Sequence, residues 1–130
     1  MIELVLFAPW FFFLFVGALD LGFFAYSLIC VENAARVAAL YTSTSSSTAA
    51  DSTTACTYVL AELKNLPNLS AVSSCSTTPL KVTAQAQTAS DGTSASSVSV
   101  SYRSGQLIPI PGVLQGQFTW TRSVIMRLRG

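Results

Sequence analysis

The chain opens on a nearly unbroken apolar run, residues 3–41, in which Glu3 and Asp20 are the only acids before polar spacing resumes at Glu32. As a helix, residues 4–31 alone reach roughly 42 Å at about 1.5 Å per residue, more than the ~30 Å hydrocarbon core of a bilayer. The run therefore predicts a long apolar helix able to span a membrane. Past Tyr41 the pattern changes at once, because Thr42-Ser43-Thr44-Ser45-Ser46-Ser47-Thr48 are short hydroxyl side chains that compete with helical hydrogen bonds. Residues 42–51 read as a flexible linker, with an O-glycosylated tract as the alternative. Asp51-Ser52-Thr53 then supplies an N-cap, and Tyr58, Val59, Ala61, Leu63 and Leu66 form an imperfect amphipathic stripe up to Pro67. A short second helix is expected over 52–65.

From Leu80 the period falls to two. Leu80, Val82, Ala84 and Ala86 face one way and Lys81, Thr83, Gln85 and Gln87 the other, then Asp91-Gly92 turns the chain and Val98, Val100 and Tyr102 resume the alternation. Residues 80–88 and 96–103 are expected as antiparallel neighbours. A third strand, 117–128, puts Phe118, Trp120, Val124, Met126 and Leu128 on one face, with Arg122 among them and Arg127 and Arg129 outward. A bulge that re-aims Arg122 is the preferred expectation, an acid met across an interface the alternative. Between the last two strands, the proline-broken apolar segment Leu107-Ile108-Pro109-Ile110-Pro111-Gly112-Val113-Leu114 can join no central strand, so it serves either as core or as a contact with a neighbouring subunit or membrane. Leu107, Ile108, Ile110 and Arg122 are thus candidate subunit contacts. The fold class expected is α+β: a long N-terminal apolar helix, then a small head with a short helix and a three-stranded or larger antiparallel sheet. Its parts are the helix (1–41), the linker (42–51) and the head (52–130).

Composition narrows the function. Charged residues make up 10% of a chain that is 51% hydrophobic, and the net charge of +1 leaves no footprint for nucleic acid, so no nucleic-acid binding is expected. Histidine is absent, which removes the commonest general base and metal ligand; no catalytic residue, metal or cofactor is expected. A serine or threonine acting with Lys64 or Lys81 matches no catalytic motif. Of three cysteines, Cys30 lies in the apolar run, while Cys56 and Cys75 flank the second helix and can close a loop of about 20 residues in an oxidising compartment. Asn68-Leu69-Ser70 fits the N-glycosylation tripeptide, for which the unmodified reading is preferred.

Within the apolar run, Pro9 lacks an N–H and crowds the carbonyl of Val5, so the helix should kink or locally open between Glu3 and Phe13. Small residues recur at Ala18, Gly22, Ala25, Ala34, Ala35, Ala38 and Ala39, a spacing suited to close packing against other helices. Asp20, read as lying near the middle of the span, wants a partner, with a position near an interface, or a neutral carboxyl, as the alternative. Seventeen residues separate it from Glu3, about 260° of rotation, so the two acids answer to different partners. Glu32 and Arg36 form a favourable i, i+4 pair. No basic n-region or small-residue cleavage site flanks the run, so it is expected to stay in the mature protein, and the numbering reads as beginning after a removed leader, or insertion needs help from elsewhere.

Glu3, Pro9, Gly17, Asp20 and Gly22, followed by Glu32-Asn33-Ala34-Ala35-Arg36, resemble the N-terminal signature of TadE-like pseudopilins, subunits of Tad-type, type IV-like pili. The resemblance covers the first forty residues and, more loosely, Ser123-Val124-Ile125-Met126-Arg127; Glu3 stands two residues nearer the start than is typical of type IV pilins. It implies a pilin-like fold, leader removal by a prepilin peptidase and residence in the bacterial inner membrane. The pilus assembly machinery would then build the chain into an extracellular homopolymeric filament. Glu3, Pro9, Gly17, Asp20, Gly22, Glu32 and Arg36 would serve helix packing and register. An accessory pseudopilin or a membrane-tethered binding module is the alternative.

Overall fold

The structure, a computed structural model, describes residues 2–105, 108 and 117–129. Its elements are α1 (Ile2–Thr42), α2 (Ser52–Leu63), β1 (Ser76–Thr77), β2 (Leu80–Thr88), β3 (Ser94–Arg103) and β4 (Thr119–Arg127). The strands form one antiparallel sheet in the order β1-β2-β3-β4. This is the expected α+β, pilin-like architecture, with one strand more than the period-two pattern shows. β1 is two residues long, too short to display any periodicity.

One helix meets two environments. Residues 2–15 of α1 are exposed on every side, with Leu4 76%, Phe11 65% and Phe15 63% exposed, whereas Val31, Ala34, Ala35, Ala38 and Ala39 are completely buried. The C-terminal half crosses the sheet over β3 and β4 and packs beside α2, which lies over β2. The small residues at 34, 35, 38 and 39 therefore admit α2 and the sheet of the same chain, not a neighbouring helix. Gly17 and Gly22, in contrast, have open space where a side chain would stand. α1 continues helical through Pro9, so no local opening forms there; the missing N–H of Pro9 removes the one bond that the Val5 carbonyl would accept.

The hydroxyl-rich segment is a packed turn rather than a flexible connector. Thr42 and Ala49 are fully buried, and the buried Ser96 hydroxyl of β3 donates to the Ala49 carbonyl at 2.9 Å with Thr42 Oγ1 2.8 Å away. Short hydroxyl side chains suit this place because they satisfy backbone groups where the helix ends against the sheet. Asp51 caps α2 by accepting from the amides of Thr53 and Thr54 at 3.1 and 3.0 Å. Hydrogen bonding from Thr54, its side chain foremost and then its amide, holds the Asp51 carboxyl below the usual carboxylate range, with Thr53 and Tyr41 adding to it. A depressed folded-state pKa stabilises the fold above the unfolded value of about 3.9, a contribution lost as pH falls through the folded value. Asp51→Ala should thus lower the thermal midpoint at neutral pH and shrink the acid-side loss of stability. Asp91, held low by Thr93 and Arg127, contributes in the same direction. Melting curves of both chains at pH 7 and pH 3 check this, and equal acid sensitivity would contradict it.

The sheet's two edges differ. Along β2, Val82 N–H donates to the Cys75 carbonyl and Ala84 N–H to Ser52 Oγ, both at 2.9 Å, so the residue before β1 and the first residue of α2 cover that edge. Leu128 N–H donates to Ser94 and Ser104 N–H to the Phe118 carbonyl, which directs the even-numbered residues of β4 toward β3. The odd-numbered ones, from Thr119 to Arg127, turn their backbone groups to the open edge.

Candidate assembly surface

The protruding helix is the first component. Residues 2–21 measure about 30 Å, the thickness of a bilayer's hydrocarbon core. A helix apolar on all sides and exposed is built for lipid or for the interior of a bundle. α1 is long and apolar enough to cross a membrane. Its exposed stretch ends where Phe24 meets Trp120 and Phe118 of the head, with ring centroids 4.8 and 5.7 Å apart. Asp20 consequently sits one turn below the head, at the head-proximal end of the apolar stretch and not at its middle. The penalty of a carboxylate at the bilayer centre does not apply at this depth. All seven Lys and Arg residues are described, and none forms an ion pair with Asp20. Glu3 is exposed near the far end of α1.

A shallow cleft of about 470 Å³ between α1 and β4 is the second component, lined by Glu32, Arg36, Arg122, Ser123, Val124 and Ile125. Glu32 and Arg36 are joined by an exposed ion pair, worth a few tenths of a kcal/mol at most in such a setting. Arg122 corrects an expectation. The register of β3 and β4 runs unbroken from Ala95↔Arg127 to Arg103↔Thr119, so no bulge re-aims it. Arg122 stays on the helix-facing side opposite the buried Val100, yet is exposed because β4 is the edge strand and α1 leaves the cleft open beside it. Neither ion pair among the described residues includes it. Arg127 on the other face pairs with Asp91.

Ile125, 59% exposed at an outward position, was not singled out by the period-two reading, although a large aliphatic on the polar face was the available signal. Leu107 and Ile110 lie outside the described residues, and Ile108 is partly buried. Cys56 and Cys75 are bonded, with Cα atoms 5.8 Å apart, tying α2 to the approach to β1. Asn68 is engaged in the fold: its side-chain nitrogen donates to the Arg103 carbonyl at 2.7 Å, and its oxygen accepts from Tyr102 at 2.6 Å. Searches against family models, curated proteins and solved structures find no match to the chain.

Proposed function

We propose that this chain is a structural pilin-like subunit, held in a bacterial inner membrane by the exposed half of α1 and then polymerised through that half into a Tad-type, type IV-like filament. The observation that carries the reading is the divided helix: about 30 Å of largely apolar and largely exposed helix, interrupted by Glu3 and Asp20 and by the buried Val16, continues without a break into the core of a small head. Apolar burial drives both states, in lipid before assembly and among copies of itself afterwards. The N-terminal signature of TadE-like pseudopilins supports the same reading, and no catalytic group is needed for it.

Imaging sheared surface filaments for this chain tests the proposal. Repetition along the filament supports the bulk subunit, and confinement to membrane fractions favours an accessory pseudopilin or tethered module. Asp20→Ala should leave membrane insertion intact, because the acid sits at the edge of the span, while filament mass falls. Carbonate extraction and filament yield measure the two separately, and an unchanged yield would make Asp20 a bystander.

A further inference from the structure

We infer that Asp20 docks on the cleft of a second copy of this chain and that Arg122 there is its counter-charge, an inference that rests on the reading of the chain as a polymerising subunit. The chain's own layout leaves both groups waiting. Asp20 is partly exposed on a helix that projects free of the head, and no Lys or Arg of its own chain pairs with it. Among strand bases, Arg122 alone faces the helical side of the sheet, since Lys81, Arg103 and Arg127 alternate onto the opposite face. The cleft around it holds two guanidinium groups and one carboxylate, whereas the protruding half of α1 carries two acids and no base. Opposite signs on the two surfaces give the pairing its complementarity.

Geometry sets the stagger. Trp120 meets Phe24 edge-on and the Arg129 amide donates to the Ser43 carbonyl, so β4 runs alongside α1 in the same direction. Arg122 therefore lies beside residues 28–32 of α1, and Glu32 lines its cleft. Residues 28–32 stand 8–12 residues above Asp20, about 12–18 Å along the helix. A second copy shifted by that amount along a parallel α1 brings its Asp20 level with the first copy's Arg122. The same shift lays Trp10–Phe15 of one helix against the head-proximal part of the other's apolar stretch, and Val124 and Ile125 give the cleft an apolar wall. An unpaired charge in such an interface is costly, which makes the pair a register device more than a source of affinity.

Two experiments on the full chain test this. Asp20→Arg and Arg122→Glu should each cut filament mass roughly tenfold or more, and the two combined should restore most of it; failure of the combination to exceed either single variant would overturn the pairing. In a Cys30→Ser background, Asp20→Cys with Arg122→Cys should give a ladder of disulfide-linked multimers on oxidation, while Asp20→Cys with Lys64→Cys should not. Wild-type filaments without that ladder would overturn the docking and leave the filament reading standing. The ladder in membranes that yield no filaments would uphold the docking and sink the filament. Loss of both would overturn both.

Discussion

Tyr102→Ala should destabilise the head by about 3–5 kcal/mol, the range for deleting a large buried aromatic, against a total of about 5–15 kcal/mol for a small domain. Among the described residues Tyr102 is the largest completely buried side chain, set between Leu80 of β2 and Trp120 of β4 across the sheet. Its ring meets Trp120 edge-on at 5.5 Å, and Trp120 in turn meets Phe24 at 4.8 Å, so one aromatic chain joins the sheet to the point where α1 leaves the head. Its hydroxyl donates to Asn68 Oδ1, which fixes the segment between α2 and β1. Tyr102→Phe keeps the ring and removes only that bond, so it should cost about 1 kcal/mol. Urea unfolding of the detergent-solubilised chain, followed by tryptophan fluorescence, should separate the two variants clearly. Equal losses would mean that the hydrogen bond, and not the packing, holds this corner.

Hydrophobic periodicity makes most of the architecture legible in the sequence. The apolar run, the Asp51 cap, the alternation from Leu80 and the Asp91-Gly92 turn yield α1, α2, β2, β3 and β4 to within a few residues, because each is a local preference that tertiary contacts reinforce. What local pattern does not carry is the identity of the partner. Ala34, Ala35, Ala38 and Ala39 have the spacing of a close helix contact, and that spacing is the same whether the other surface belongs to a neighbour or to α2. Likewise the hydroxyl run after Tyr41 looks like a connector in composition, while Thr42, Ala49 and Ser96 assemble across more than forty residues of sequence. Arg122 was expected to be turned away because an arginine among apolar neighbours is costly when buried. β4 resolves that cost by lying at the edge, a fact of strand order invisible in the chain itself. Asp20 moved from the middle of the span to its rim for a similar reason: the head claims the helix from Phe23 onward and shortens the stretch left for lipid. The acids are visible in the sequence; their depth is not.

Removing the Cys56–Cys75 bond should cost about 3 kcal/mol, since the cross-link closes a loop of about 20 residues in the unfolded chain. For a domain of this size that corresponds to roughly 12–24 °C in thermal midpoint. Beside the cross-link, the loop between α2 and β1 is held by the buried Leu66 and Leu69 and by the hydrogen bonds of Asn68 to Tyr102 and Arg103. The loss would also reach the sheet, because Cys75 offers its carbonyl to Val82 and leads directly into β1, whose two residues pair with Leu80 and Lys81. Freed from α2, this segment would leave the β2 edge with only Ser52 to cover it, and an uncovered edge is a template for pairing with other chains. Reduction should therefore both lower the midpoint and promote aggregation of the detergent-solubilised chain. A Cys56→Ser/Cys75→Ser variant in the Cys30→Ser background should reproduce both effects without reductant, excluding disulfide exchange through Cys30. If the midpoint drops but no aggregates form by light scattering, the stabilisation is that of the loop alone and Ser52 suffices to guard the edge. An unchanged midpoint would show that packing around Leu66 and Leu69 already fixes the segment.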